Sequence, residues 1–234
     1  MDNILIASDP FDFYNADKDS LVLEFSNNLK NSKANRDAVN PPTEHEFSSQ
    51  MSAFKQKLDD NANKSKSRTR IAEIGDSLKG SRKEVYDQLL EIGDDQTREY
   101  LIKLAKRESN FDPKIVNRYG YSGLFQFGED ALTTLKQSKK IKNMTLNEFR
   151  NSSVHVQAHA AAELANFNWN LLKNHASDKI GSNINGIKVT KNGILAASHL
   201  VGAGRVRTWL NTNGKSSAKD ANGTTIESYM KMFS

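Results

Sequence analysis

The hydrophobic positions of the chain are sparse over the first 80 residues. A polar, Asn-rich tract at residues 26–40 separates two short apolar clusters from the rest of the chain. Thr43 and Glu46 stand at the spacing of a helix capping box. Apolar side chains then recur every three to four positions, which is the period of one helix face. This spacing predicts one amphipathic helix over residues 43–60, whose apolar stripe is Phe47, Met51, Phe54 and Leu58.

A second polar tract, residues 59–70, is expected to resist folding, because it offers little apolar surface to bury. Apolar positions over residues 71–78 then predict a short helical piece. Stripes this sparse are insufficient for a core of their own. We therefore predict that residues 1–81 are an extended, partly helical arm. Its stripes either pack onto the chain's own domain or dock on another protein, and the second is favoured.

From residue 81 onward, apolar positions are dense and follow the helical period. They predict a pair of helices interrupted near Gly93, followed by an irregular segment over residues 110–128. No alternating pattern of useful strand length is found, so residues 82–234 are predicted to form a mainly α domain. Its further helices are expected at residues 129–139, 145–174 with a possible break, 191–200, 203–211 and 224–232.

Composition excludes several classes of protein to which the chain could belong. A chain of 234 residues with 37% hydrophobic and 26% charged residues has room for one medium domain plus an appendage, or two small domains. The 13 glycines, 4 prolines and lack of periodic self-similarity exclude collagen-like chains and repeat arrays. With no cysteine, the chain has no disulfide, no thiolate metal site and no cysteine nucleophile.

The net charge of +5 is unevenly distributed. Residues 1–80 contain 11 lysines and arginines against 13 acidic residues, whereas residues 81–234 contain 22 against 15. A basic domain favours polyanionic partners such as nucleic acid, anionic lipid or the carboxylate-rich glycans of a cell wall. No recognised nucleic-acid-binding motif accompanies the basic residues, so we expect no nucleic-acid partner.

Targeting signals are not expected either. The start of the chain, MDNILIASDPFDF, has neither the basic residues nor the long apolar stretch of a secretory signal. The longest weakly polar stretch, Gly193 to Gly204, is about 12 residues long, and a bilayer span needs roughly 20. We therefore predict no signal peptide and no membrane span.

The most informative position is Glu108. On a helix, it shares a face with Leu101, Leu104 and Ala105, and Pro113 disfavours any long continuation of that helix. A carboxyl group at the end of an apolar stripe is desolvated, which favours the protonated form that a general acid needs. The ordinary alternative is a solvent-facing glutamate paired with a neighbouring lysine.

The surrounding string decides between these interpretations. Glu108-Ser109, followed by Asn-Phe-Asp-Pro at residues 110–113, resembles the first motif of the lytic transglycosylase and goose-type lysozyme superfamily. In that motif the glutamate is the catalytic acid/base. Residues 120–127, GYSGLFQF, resemble the family's glycine-rich second motif, which usually ends in Gly-Leu-Met-Gln. The resemblance implies a lysozyme-like domain.

Two later segments extend the resemblance. Residues 195–206, LAASHLVGAGRV, are similar to the third motif, although the commoner pattern has Tyr-Asn where this chain has Ser198-His199. Residues 220–229, DANGTTIESY, resemble the ending of phage-encoded members. The resemblance covers about residues 83–234 and does not extend to the arm.

The resemblance implies a mechanism that needs one glutamate. Glu108 would protonate the bond between MurNAc and GlcNAc and then take a proton from the MurNAc C6 hydroxyl, closing a 1,6-anhydro ring without water. The substrate's N-acetyl group can replace a second carboxylate. No cofactor is expected.

The same segments supply candidates for binding the substrate. Glycines at 120 and 123 let the backbone approach a sugar, and Tyr119 is a further candidate for contact with a sugar ring. The expected substrate-binding residues are Ser109, Tyr121, Gly123, Gln126, Ser198, His199 and Tyr229.

Other candidates for chemistry carry less weight. His155, His159 and Glu163 share a helix face, but a zinc protease needs Glu directly after the first histidine, where this chain has Val156. We therefore expect structural histidines, buried or partly exposed, and no metal. Glu129 and Glu163 are possible second carboxylates of a hydrolase, although solvent-facing positions are favoured for both. Core positions are expected for the aromatic residues Phe167, Trp169, Trp209 and Tyr229.

These observations predict a peptidoglycan lytic transglycosylase carried in a phage virion and acting in the host periplasm and cell wall. Residues 1–81 would dock it on a structural protein of the tail or capsid. One alternative is a soluble phage endolysin or muramidase that cleaves with water. Another is an inactive tail structural protein whose lysozyme-like domain only binds glycan. The Glu108-Ser109 pair argues against inactivity, and Ser198-His199 argues weakly for it.

Overall fold

A computed structural model describes residues 44–234 of the chain. The predicted capping residue Thr43, the segment before it and the side chains of the predicted apolar stripe lie outside the described residues. The first helix, α1 (Glu44–Asp76), is 33 residues long. Contacts divide the chain into two units, of which the second comprises Arg70–Ser234.

The polar tract at residues 59–70 is helical, so the prediction that it resists folding is wrong. The tract contains no glycine or proline, and its lysines and arginines are good helix formers. Within it, the hydroxyl of Thr69 donates a hydrogen bond to the carbonyl of Ser65 one turn earlier, at 3.1 Å. A charged composition argues against a core but does not prevent a helix.

The second unit is mainly helical, as predicted. Its helices are α2 (Ser81–Leu90), α3 (Asp95–Glu108), α4 (Glu129–Gln137), α5 (Leu146–Asn151), α6 (Val154–Ala176), α7 (Lys191–Val201), α8 (Ala203–Asn211) and α9 (Ile226–Phe233). The break expected within residues 145–174 falls between α5 and α6, where Ser153 caps the new helix by accepting from the Val156 backbone N–H. None of the described helices is long and apolar enough to cross a membrane.

The sequence interpretation missed one short hairpin. Strands β1 (Asn183–Ile184) and β2 (Ile187–Lys188) pair antiparallel, with Ile184 opposite Ile187. The turn residues Asn185 and Gly186 have φ angles of +52° and +77°, the positive values that a tight hairpin turn requires. Asn-Gly between two isoleucines is a local hairpin signal, but the strands are too short to show alternation.

Two hydrophobic clusters hold this unit together. The first includes Leu89, Leu101 and Phe149, and the second includes Leu172 and the fully buried Trp209. Trp169 is partly buried against both clusters.

Phe167 is 37% exposed, so its predicted core position is wrong. The helical period of α6 turns Leu164, Asn168 and Leu172 inward, which leaves Phe167 on the outer side.

Candidate active site

Glu108 is the last residue of α3. Asp94 caps the start of this helix, because its side chain accepts a hydrogen bond from the backbone N–H of Thr97 at 2.8 Å. Its buried face, which includes Leu101 and Leu104, runs toward Glu108 and leaves that side chain half-buried. The carboxyl group therefore lies at the border between the core and solvent, as the apolar stripe predicted.

The chain turns sharply after Glu108. Asn110 and Phe111 have φ angles of +50° and +65°, a left-handed conformation that costs non-glycine residues roughly 1–2 kcal/mol each. The Phe111 backbone N–H reaches back to the carbonyl of Ala105 at 3.3 Å. Its ring is buried edge-on against Tyr86, with the centroids 5.9 Å apart. The buried Phe111 ring thus anchors a strained turn immediately after the candidate acid.

A second helix supplies the partner of Glu108. The hydroxyl of Tyr229, on α9, donates a hydrogen bond to Glu108 Oε1 at 2.5 Å. Tyr229 is buried, and its ring stacks on Phe233 with the centroids 6.0 Å apart. Within residues 44–234, the other carboxyl oxygen, Oε2, has no hydrogen-bond partner. One oxygen is therefore held by the protein, and the other is available to a ligand.

The tyrosines around Glu108 are in their neutral form. Burial raises the pKa of Tyr229, and the negative charge of Glu108 raises it further, whereas the nearby Arg107 lowers it. The Arg107 guanidinium lies 5.5 Å from the centroid of the Tyr229 ring. Burial also raises the pKa of Tyr100, with Glu108 as the next cause. Tyr229 is consequently a hydrogen-bond donor to Glu108 at neutral pH.

The glycine-rich segment forms a compact loop. Ser122 makes isolated β-bridges to both Val116 and Phe127, and the backbone N–H of Gly123 donates to the carbonyl of Ile115 at 2.8 Å. Gly120 and Gly123 have φ angles of +85° and +81°, where a side chain is strained. The conformation of the loop therefore requires glycine at both positions, whether or not a ligand is bound.

The side chains of this loop differ in exposure. Gln126 turns its amide nitrogen toward the loop, donating to the carbonyl of Gly123 at 3.0 Å. Tyr119 and Tyr121 are each 46% exposed. The Tyr121 ring lies so close to Gly128 that a Cβ atom there would be 2.8 Å from its Cε1. The tyrosines present aromatic surface to solvent, whereas the Gln126 amide donates inside the loop.

Both predicted substrate-binding serines point inward. Ser198 is buried and donates to the carbonyl of Ile194 at 2.7 Å. Ser109 is also buried and donates to the carbonyl of Ala105 at 3.1 Å. Both hydroxyls therefore satisfy backbone carbonyls one turn earlier, and a contact of either serine with substrate stays a prediction.

His199 connects the third motif to the second. Its Nε2 lies 2.9 Å from the carbonyl oxygen of Phe125, and its ring centroid is 5.9 Å from that of Phe127. The bond requires a hydrogen on Nε2, because a carbonyl only accepts. His199 thus ties α7 to the glycine-rich loop, and its predicted contact with substrate stays a prediction.

One residue at the site escaped the sequence interpretation. Gln157 on α6 is fully buried and hydrogen-bonds the backbone N–H of Leu124, inside the glycine-rich loop. The sequence does contain one signal for this role: Gln157 is a polar residue on the helix face that carries Ala158 and Ala161. A polar group on a buried face needs a hydrogen-bond partner. Periodicity alone does not show which partner it finds.

The remaining candidates are solvent-exposed or paired with a lysine. His155 and His159 are exposed, so the expectation of buried or partly exposed histidines is wrong. Glu163 forms an ion pair with Lys140, at 3.1 Å. Glu129 is exposed at the start of α4. In the described part of the chain, no three His, Asp or Glu residues are grouped closely enough to hold a metal ion.

Comparison with known proteins gives one match. The model of a family described as the transglycosylase SLT domain matches residues 93–222, which is more than half of the chain. No curated protein and no solved structure matches. The matched region includes Glu108, the glycine-rich loop and the third motif, and it ends before Tyr229.

Proposed function

The chain belongs to the transglycosylase SLT domain family, and we propose that it cleaves the MurNAc–GlcNAc β-1,4 bond of peptidoglycan with Glu108 as its acid/base. Membership of this family supports peptidoglycan lytic transglycosylase activity in general. The observation that carries the assignment to Glu108 is its placement: a half-buried carboxyl group at a helix end, with one oxygen held by Tyr229.

The reaction proceeds in two proton transfers. Glu108 gives its proton to the bridging oxygen, so the GlcNAc side leaves with a new hydroxyl group while the MurNAc anomeric carbon becomes electron-poor. The substrate's own N-acetyl group stabilises that carbon. The Glu108 carboxylate then takes the proton of the MurNAc C6 hydroxyl, and the C6 oxygen bonds to the anomeric carbon. The glutamate ends protonated, and no water is consumed.

The surroundings of Glu108 suit this sequence of steps. A hydrogen bond from Tyr229 to Oε1 restricts rotation of the carboxyl group and leaves Oε2 to exchange the proton. The same bond stabilises the carboxylate that exists between the two transfers. On the glycine-rich loop, the exposed rings of Tyr119 and Tyr121 offer apolar surface on which sugar rings can stack.

The decisive experiment compares Glu108→Gln with the unaltered chain on purified peptidoglycan sacculi. The variant is expected to release almost no muropeptides while unfolding at a similar temperature, because glutamine keeps the shape but carries no transferable proton. Glu129→Gln, which changes an exposed carboxylate, is the matched control. Undiminished release by Glu108→Gln would contradict the proposal.

Mass spectrometry of the products separates the two possible outcomes of bond cleavage. A lytic transglycosylase leaves 1,6-anhydro ends, which are lighter than reducing ends by one water. Reducing ends would instead identify the enzyme as a hydrolytic muramidase.

We further propose that a phage virion carries the protein, docked through residues 1–81 on a tail or capsid protein, to act in the host periplasm and cell wall. Two features support this: the phage-like ending at residues 220–229, and a basic region that follows a slightly acidic arm. Antibody detection in purified particles is the test. Protein found in the lysate and absent from particles would favour a soluble endolysin.

A further inference from the structure

Gln157 is a completely buried amide with a full set of partners. Its Oε1 accepts a hydrogen bond from the Leu124 backbone N–H at 2.7 Å. Its Nε2 lies 3.2 Å from the carbonyl oxygens of both Pro113 and Arg150 and 3.3 Å from that of Ser152. The two amide hydrogens are thus shared among three acceptors.

These partners belong to three separate segments. Pro113 closes the turn that begins after Glu108, Leu124 lies in the glycine-rich loop, and Arg150 and Ser152 lie at the end of α5. Leu124 is fully buried, so its N–H would have no water to replace Gln157. An unsatisfied buried donor costs about 1–3 kcal/mol. One side chain therefore joins the segment after the candidate acid to the glycine-rich loop.

The fit around Gln157 is close. A Cβ atom at Gly123 would lie 2.5 Å from Gln157 Oε1 and 3.5 Å from the Pro113 carbonyl oxygen. Contacts below 3.0 Å require a shift of one group, and Oε1 is already engaged with Leu124. The glycine at position 123 thus allows the loop to approach the buried amide.

We infer that Gln157 is a positioning residue of the active site, fixing the glycine-rich loop relative to the turn that follows Glu108. This inference rests on the proposed function. Gln157 is buried and acts through Leu124 and Pro113 rather than through direct contact with substrate. A displacement of about 1 Å in a site can lower the rate roughly a hundredfold.

Gln157→Glu isolates the donor side of the amide. The new carboxylate still accepts from Leu124 N–H, but its second oxygen faces three carbonyl oxygens and repels them. Protonation of the glutamate at low pH restores one donor. We expect kcat/KM to fall roughly tenfold or more at neutral pH and to recover partly as the pH is lowered, relative to the unaltered chain at each pH.

Gln157→Met keeps the length of the side chain and removes both polar groups. It is expected to lower kcat/KM at every pH without the recovery at low pH. In both variants, hydrogen–deuterium exchange across the glycine-rich loop should accelerate, and in Gln157→Met it should be fastest at the amide of Leu124, which loses its acceptor. The Met variant also keeps the test valid if Gln157→Glu does not fold.

Asn168→Asp is the matched control, since Asn168 is another buried amide on α6 and, among the described residues, no hydrogen bond joins it to the glycine-rich loop. All assays are run well below the unfolding temperature of each variant. The control is expected to lose stability while the exchange rates of the glycine-rich loop stay equal to those of the unaltered chain. A loss of activity in Asn168→Asp equal to that in the Gln157 variants would reduce Gln157 to a folding role and overturn the inference.

Unchanged kcat/KM together with unchanged exchange at Leu124 in both Gln157 variants would also overturn it. The proposed function fails in a different way, namely if the unaltered chain releases no muropeptides. The exchange measurement does not depend on activity, so it tests the contact with Leu124 in either case.

Discussion

Tyr229 and Glu108, 121 positions apart in the chain, are joined by a hydrogen bond of 2.5 Å between the phenol and the carboxylate oxygen Oε1. The bond crosses from α9 to the end of α3. Burial and the charge of Glu108 both raise the pKa of Tyr229, so the phenol keeps its proton through the proposed reaction, in which Glu108 gives up a proton and takes one back. Tyr229 can therefore orient the acid throughout the reaction.

Replacing Tyr229 by phenylalanine removes this hydrogen bond and keeps the stacking on Phe233. A hydrogen bond to a charged group contributes about 1.5–3 kcal/mol. We expect kcat to fall roughly tenfold to a hundredfold, measured as the rate of muropeptide release. Tyr86→Phe is the control, because it loses the buried hydroxyl that donates to Ile71 at 2.9 Å and does not hydrogen-bond Glu108. Equal rates for Tyr229→Phe and the unaltered chain would exclude an orienting role.

Replacing Phe111 by alanine removes the anchor of the strained turn after Glu108. Loss of a fully buried phenylalanine costs about 3–5 kcal/mol, which urea unfolding measures directly. Phe167→Ala, at a 37% exposed position of α6, should change stability by no more than about 0.5 kcal/mol. Similar losses for both variants would contradict the assignment of Phe111 as an anchor.

Gly123 and Gly120 provide a matched pair for the glycine-rich loop. Both have positive φ angles, so alanine at either position costs about 1–2 kcal/mol in backbone strain. A Cβ atom at Gly123 additionally meets Gln157, whereas one at Gly120 meets nothing within 4 Å. We expect Gly123→Ala to lose more stability than Gly120→Ala and to lose activity as well. Thermal unfolding and muropeptide release measure the two effects, and equal behaviour of the pair would refute the predicted steric contact.

The buried tyrosines predict a loss of stability in alkaline solution. Burial, followed by the charge of Glu108, raises the pKa of Tyr100 and Tyr229 above the ordinary value near 10. Above that pH the unfolded chain releases these protons while the folded chain retains them, so the free energy of unfolding falls as the pH rises. This decline in the free energy of unfolding should be smaller in Tyr229→Phe than in the unaltered chain. Urea unfolding at several pH values measures it. Tyr119→Phe, at an exposed position, should leave it unchanged.

Most of the helices could be predicted from the sequence, because their signals are local. The predicted helix at 203–211 and the break between α5 and α6 agree with the structure, since apolar period and N-capping residues act within one or two turns. The polar tract at residues 59–70 departs from its prediction because a polar composition prevents a core but does not prevent a helix.

The candidate site was only partly predictable. The string around Glu108 and the glycine-rich segment identified the candidate acid and the family. The inward direction of the Ser198 hydroxyl and the bond from His199 to Phe125 depend on how α7 packs against its neighbours. A motif gives the order of residues along the chain and does not give the side of the helix that reaches the ligand.

The local pattern of residues is enough to predict a mainly α domain with a carboxyl group at the end of an apolar helix face. Packing of the helices is what brings Tyr229 to this carboxyl group and lets Gln157 join the turn after it to the glycine-rich loop. The difference lies in the distance along the chain over which each interaction acts. Helix period and capping depend on residues a few positions apart, whereas a hydrogen bond between distant segments forms only where the packing of the helices brings donor and acceptor within about 3 Å of each other.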